Sequence, residues 1–332
     1  MTLNRRTFTT LAGAASLTVL SGAGPALAPS APIVASPVIG LSGSAFGTTW
    51  RVVLAAGLDP RVIRPDIEAV LNKVDRQMSP WRTDSVLSQF NRASAGQHEL
   101  PPETLHVTRA ALDIARASGG AFDPTVGPLV ARWGFGPIKG DSHTDWTSLI
   151  PSDTSLTKTH AGCTLDLCGI AKGFALDLIA ERLWAIGLRD FLIEIGGELR
   201  GAGLHPEGRP WRSGIEDPRA GADTLVSVIT LRDLAVATSG IRWNAVRFQD
   251  RAVTHIIDPD ERHPVTDALA SVSVIAPSAM MADGWATALM AAGPRRGPDL
   301  ARQQDIAALF LIPEGGKLGR IATGGFDTHV LA

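Results

Sequence analysis

Three short stretches of this chain carry residue types at spacings that could do chemistry. In Leu165-Asp166-Leu167-Cys168-Gly169-Ile170-Ala171-Lys172-Gly173 a loop runs into a helix. A helix N-terminus presents unpaired N–H groups and the positive end of the backbone dipole, so it stabilises a phosphate, and Lys172 adds a mobile cation. The spacing is not that of a P-loop, and the same residues also read as a plain helix start with Asp166 as a capping or turn residue. In Ala282-Asp283-Gly284-Trp285-Ala286-Thr287, Asp283 and Thr287 stand one helical turn apart on one face and present a carboxylate and a hydroxyl to one point. Oxygen donors of this kind suit a hard cation such as Mg²⁺, although a capping Asp and a satisfied core Thr give the same pattern. In Thr254-His255-Ile256-Ile257-Asp258-Pro259, His255 sits in a β-branched, apolar run before an Asp-Pro turn. At a sheet edge it could act as a general base near neutral pH, and an isolated strand His is also commonly structural.

The elements that must position these groups follow from periodicity. Pro65 followed by Ile67, Val70, Leu71, Val74 and Met78 is an amphipathic helix with Pro in its first turn. Further helices are expected over about Glu103–Ala117, Ile170–Ile186 and Ala282–Ala292, ending at glycines. Strands are expected at Thr49–Leu54, Phe191–Ile195, Leu225–Leu231, Leu234–Ala237, Val253–Ile257, Ser271–Ile275 and Ile306–Ile312. Strands neither alternate strictly with helices nor cluster apart from them, which points to an α+β fold with a mixed or antiparallel sheet rather than a doubly wound nucleotide fold. Four Gly-rich pieces, at Phe46-Gly47, Gly120-Ala121-Phe122-Asp123, Ile195-Gly196-Gly197-Glu198 and Ser239-Gly240, read as turns where backbone could approach a ligand closely.

Composition narrows the function classes. The 332 residues are 45% apolar and 19% charged, which excludes a disordered or fibrous chain. With 31 basic and 33 acidic residues, net −2, no basic excess points to a nucleic-acid partner. Two Cys, Cys163 and Cys168, are too few for a disulfide framework, and their setting does not suit zinc. Eight Trp stand beside no Tyr at all.

The start, Asn4-Arg5-Arg6-Thr7-Phe8, then an apolar run from Leu11 to Leu20 and Ala26-Leu27-Ala28, reads as a twin-arginine export signal over residues 1–28. Residues 29–37 read as a linker, and no window has the length and apolarity of a transmembrane span. The expected location is therefore the periplasm. Twin-arginine export ordinarily follows folding, which fits a protein built around a nucleotide or metal.

In order along the chain, FGTTW, MSPWRTDSVLSQFN, GAFDPTVGPL, LDLCGIAKGFALD, EIGGELR, ATSG, THIIDP and APSAMMADGWATAL resemble the motifs of the ApbE family, the FAD:protein FMN transferases. The resemblance implies one catalytic unit of T-fold type over residues 38–332. It would move FMN from FAD to a Thr or Ser hydroxyl of an exported flavoprotein and release AMP. It also implies that Phe46, Trp81, Ala121, Phe122, Asp123, Asp166, Lys172 and the run His255, Ile256, Ile257 contact FAD. Mg²⁺ would be held by the Gly169 carbonyl with Asp283 and Thr287, and His255, Lys172 and Asp283 would carry the chemistry. The sequence departs from the family pattern where Phe46 replaces Met, Trp81 replaces Tyr and Cys168 replaces Gly. Many relatives have an acidic residue where Ala286 stands, so one metal ligand would be missing. Hydrolysis of FAD to FMN and AMP, or flavin storage without chemistry, are the competing activities.

Overall fold

The computed structural model describes residues 38–331 except 56–58, 142–143, 220–223, 242–245, 249–250 and 267, with the backbone alone at 246–248 and 251–253. The export signal and linker expected over residues 1–37 lie outside the described residues.

The frame is an eight-stranded sheet: β1 (Val38–Ala45), β2 (Thr48–Ala55), β3 (Phe191–Ile195), β4 (Glu198–Ala202), β5 (Leu234–Gly240), β6 (Ser271–Ala276), β7 (Ala307–Glu314) and β8 (Lys317–Thr323). Each strand pairs antiparallel with the next in this series, so the sheet is a meander with excursions inserted between its strands. The antiparallel alternative in the sequence reading is the one found. Alternation sets the two faces. Trp50, Val52 and Leu54 of β2, with Phe191, Ile193 and Ile195 of β3, point into a core under the helices. Leu309 and Leu311 of β7 point to the other face, where the hairpin Trp211–Glu216 and Leu225–Leu231 covers them with Trp211, Ile215, Ile229 and Leu231.

Six helices lie in the excursions: α1 (Arg64–Met78), α2 (Val86–Arg92), α3 (Pro102–Ala117), α4 (Gly127–Arg132), α5 (Ala171–Ala185) and α6 (Ala279–Gln303). The expected apolar stripe of α1 is buried at Ile67, Leu71, Val74 and Met78. Two expectations need correction. The last helix begins three residues earlier than its apolar pattern, because Ser278 caps it by accepting from Met281 N at 3.3 Å. It also resumes beyond Gly293, whose φ of 76° breaks the axis and lets Pro294 open a second helical segment. The expected strand Val253–Ile257 is interrupted. Arg251–Val253 pairs with Val246–Phe248, and Ile257–Asp258 with His263–Pro264, leaving Thr254, His255 and Ile256 outside any strand. The Thr254 hydroxyl accepts from Ile256 N at 3.4 Å, a local turn that competes with a ladder. Among the described residues no helix is long and apolar enough to cross a membrane.

Candidate active site

The loop entering α5 is fastened from three sides. The Asn91 side chain brackets Leu165, donating to its carbonyl at 2.8 Å and accepting from its N–H at 2.7 Å. Lys158, fully buried, donates to the carbonyls of Phe90, Asn91 and Cys163 and so ties the end of α2 to this loop. Asp166 N donates to Pro124 O at 2.7 Å, joining the loop to the buried turn Ala121, Phe122, Asp123. Within that turn Asp123 Oδ1 accepts from Thr125 N and Oγ1, so its carboxylate shapes the entry to α4. Asp166 itself accepts from Cys168 N at 2.9 Å, and burial raises its carboxyl above the ordinary value. Cys168 is exposed and Cys163 buried, and both are free thiols.

Helix α6 is seated against α5 by Asp177, whose carboxylate accepts from Ala279 N at 2.9 Å, Met280 N at 3.0 Å and Ser278 Oγ at 2.7 Å, and pairs with Arg200 of β4. A carboxylate at a helix N-terminus satisfies its free N–H groups and complements its dipole. The α5–α6 crossing then brings the expected residues together. Lys172 Nζ lies 3.0 Å from Glu198 Oε1 and 3.6 Å from Asp283 Oδ1. Asp283 Oδ2 accepts from Gly173 N at 3.0 Å. One turn on, Thr287 Oγ1 donates to Gly169 O at 3.3 Å and lies 3.5 Å from Ser239 Oγ. Phe122 closes this corner, since a Cβ on Gly169 would stand 3.3 Å from its ring. Ala286, one turn from Asp283 on α6, is fully buried in an apolar core cluster and brings no oxygen to this site.

Charge is concentrated here. Burial opposes the Lys172 ammonium, yet the carboxylates of Asp283 and Glu198 hold it well above its ordinary value. Burial pushes the Glu198 carboxyl up, only partly offset by Lys172. One carboxylate oxygen of Glu198, Oε2, is buried with no hydrogen-bond partner among the described residues. The α5 N-terminus is less open to an anion than its sequence suggested, because Ala171 N bonds to Leu167 O and Gly173 N to Asp283.

His255 is half-buried beside this cluster, its ring 6.4 Å from that of Phe135 and its Nδ1 3.4 Å from Thr254 Oγ1. Burial first, and the Lys172 charge second, push its pKa down to about 4, so the imidazole is neutral at pH 7. The neighbouring Ile256 and Ile257 side chains are buried in the core, Ile256 O accepts from Val265 N at 2.9 Å, and Ile257 pairs with Pro264, so this run is held in place beside His255. Phe46 and Trp81 lie apart from the charged cluster. Phe46 and Gly47 form the two-residue turn between β1 and β2 with φ of 53° and 74°, a conformation that costs a non-glycine residue strain. This turn lines a cavity of about 330 Å³ with Trp50, Glu68, Leu71, Asn72 and Asp75. Trp81 is 68% exposed just beyond α1, next to Arg82, which pairs with Asp75. The two regions are joined where the β3–β4 turn packs on β2, Gly196 N donating to Thr49 O at 3.0 Å.

Sequence reasoning gave no side-chain role to Glu198, visible only as the acid closing a Gly-Gly turn, to Ser239, seen only within a Gly-rich turn, to Asn91, seen only within a longer motif, or to Phe135. Among the described residues no three His, Cys, Asp or Glu side chains converge as a metal cluster. A cation here would rest on Asp283 with hydroxyl and carbonyl oxygens.

This fold and site define a member of the ApbE family: the family model matches residues 46–310, and the chain belongs to it. It is 32% identical over 318 residues to an FAD:protein FMN transferase of Klebsiella pneumoniae, covering 90% of each chain. It is 34% identical over 309 residues to one of Vibrio cholerae, covering 86% of this chain and 91% of that protein. Among solved structures, the flavin transferase ApbE of Vibrio cholerae superposes with a TM-score of 0.81 at 33% identity, covering 88% of this chain and 99% of that one. The apo flavinyl transferase ApbE of Pseudomonas stutzeri gives 0.79 at 34% identity, covering 88% and 96%.

Proposed function

We propose that this chain is an FAD:protein FMN transferase that moves FMN from FAD to a Thr or Ser hydroxyl of an exported flavoprotein and releases AMP. The observation that carries the reading is the convergence of Lys172, Glu198, Asp283, Thr287 and the Gly169 carbonyl at one crossing of α5 and α6. In this reaction the acceptor oxygen forms a bond to the FMN phosphorus, the bond from that phosphorus to the bridging oxygen breaks, and AMP leaves with the electron pair.

Mg²⁺ fits the donor set. Asp283, Thr287 and Gly169 offer only oxygen, and among the described residues Lys172 is the one cation paired with the carboxylates of Glu198 and Asp283, so the cluster favours added positive charge. Bound there, the ion would relieve charge on the pyrophosphate. Lys172 holds further phosphate charge, Phe46 and Trp81 offer aromatic surface to the ring systems, and neutral His255 takes the acceptor's proton. The backbone of His255, Ile256 and Ile257, together with Ala121, Phe122, Asp123 and Asp166, lines the dinucleotide's path. The twin-arginine pattern in residues 1–28 supports action in the periplasm.

Incubating the protein with FAD, Mg²⁺ and a Thr-containing acceptor peptide tests the reading. The acceptor gains the mass of one FMN unit with matching AMP. AMP with an unmodified acceptor identifies hydrolysis, and neither product identifies a binding protein.

A further inference from the structure

We propose that Glu198 is a positioning residue that draws the Lys172 ammonium off Asp283 and thereby keeps Asp283 available to a divalent cation. The inference rests on the cation site of the preceding section, and concerns a residue that holds neither substrate nor metal.

The geometry sets up a competition for one oxygen. Asp283 Oδ2 already accepts from Gly173 N at 3.0 Å, so Oδ1 is the less engaged oxygen and the one more open to a cation. That same Oδ1 is the one facing Lys172 Nζ, at 3.6 Å. An ammonium and a divalent ion cannot share it without strong like-charge repulsion, so Lys172 must have somewhere else to go. Glu198 supplies the place. Its Oε1 already holds Nζ at 3.0 Å, closer than Asp283 does. Its Oε2 is buried with no partner among the described residues, an acceptor that a retracting ammonium can take up without breaking any other bond.

The backbone makes this a fixed anchor. Glu198 opens β4 directly after the Gly196-Gly197 turn and pairs with Ile195 of β3, and its side chain is only 7% exposed. A buried carboxylate on a sheet has little freedom to follow Lys172 toward α6, so the lysine moves and the glutamate stays. Without Glu198, Asp283 would be the one carboxylate in ion-pair range of Lys172 among the described residues, and the ammonium would settle on the oxygen the cation needs.

Mn²⁺ binding to the FAD-free protein, followed by electron paramagnetic resonance, reads this directly and needs no turnover. Glu198→Gln keeps the shape and removes the charge. It should weaken Mn²⁺ binding about tenfold in the wild-type background and by less than about twofold in a Lys172→Met background, because the effect passes through the lysine. Lys172→Met alone should bind Mn²⁺ more tightly than wild type. Equal loss on Glu198→Gln in both backgrounds would mean that Glu198 acts on the cation itself, and an unchanged affinity in the wild-type background would mean that it does nothing for Asp283. Either overturns the inference while leaving the cation site standing. Wild-type protein that binds no Mn²⁺ removes the site and the inference together. If Glu198→Gln alone fails to fold, the neutral pair Glu198→Gln with Lys172→Met, compared with Lys172→Met, still tests direct action on the cation. Lys172→Met still tests the competition.

Discussion

Gly173 donates its N–H to Asp283 Oδ2 at 3.0 Å across the α5–α6 crossing, and the absence of a side chain at 173 is what permits it. A Cβ there would stand 2.2 Å from Ala279 O and 2.8 Å from Asp283 Cβ. The backbone of α6 therefore sits against the backbone of α5, and the acid that would hold a cation is positioned by the neighbour of the lysine that competes for it. Gly173→Ala should force the helices apart at a cost of about 1–3 kcal/mol, as overpacking usually does. Urea denaturation would show the loss, and Mn²⁺ affinity should drop with it. A variant of unchanged stability would mean that the crossing is loose.

Asp177 supports the same crossing from its other end, because its carboxylate both caps α6 and pairs with Arg200. Asp177→Ala leaves a largely buried guanidinium, 10% exposed, without its partner and the first N–H groups of α6 without theirs. The expected loss is about 3 kcal/mol, read as a lower urea midpoint. Asp177→Asn keeps one oxygen for the helix and should lose less. Equal losses would assign the whole effect to the ion pair.

How much of this was written in the sequence depends on the range of the interaction. Asp283 and Thr287 were legible because both lie on one helix, where a spacing of four fixes a shared face. Lys172 and Asp166 were legible because the glycines and apolar residues around them mark a loop running into a helix. Glu198 was not, since it enters the site only when β4 is laid beside α5, and nothing local to Gly-Gly-Glu announces that. His255 was expected on a strand from its β-branched neighbours, and the Thr254 hydroxyl overrode that preference by bonding Ile256 N. Strand β1, with Gly40, Ser42, Gly43 and Ser44, lacks an apolar alternation and takes its place from pairing with β2. The meander order was equally hidden, because the excursion between β2 and β3 holds five of the six helices.

Trp81, which the resemblance to the family expects against FAD, is 68% exposed, so its face is open to a ring. Stacking of a base on an aromatic side chain is worth about 1–3 kcal/mol. Trp81→Ala should therefore weaken FAD binding by roughly 5- to 150-fold in a fluorescence titration while leaving thermal stability unchanged, and Trp81→Tyr should recover most of the affinity. FAD binding indifferent to Trp81→Ala would remove this side chain from the site.

His255 poses the sharpest test because its environment and its proposed role pull in opposite directions. A general base works best with a pKa near the working pH, yet burial and Lys172 push this imidazole down to about 4. In the free enzyme it is therefore already deprotonated at neutral pH, ready to accept a proton but only weakly basic. The phosphates of bound FAD offset the Lys172 charge and should raise His255 again, so basicity is gained as the substrate arrives. The sign follows: activity requires the neutral ring and falls as pH drops. The acid limb of kcat/KM, which reports the free enzyme, should lie near pH 4 rather than near the ordinary histidine value of 6.5. The limb of kcat, which reports the FAD complex, should lie at higher pH. His255→Ala should retain FAD binding and lower transfer by about 10²–10⁴-fold, with the limb lost from both profiles. Transfer at the wild-type rate in that variant would show that the acceptor's proton leaves by another route. A kcat limb at or below the kcat/KM limb would show that bound FAD does not relieve the lysine's field at the ring.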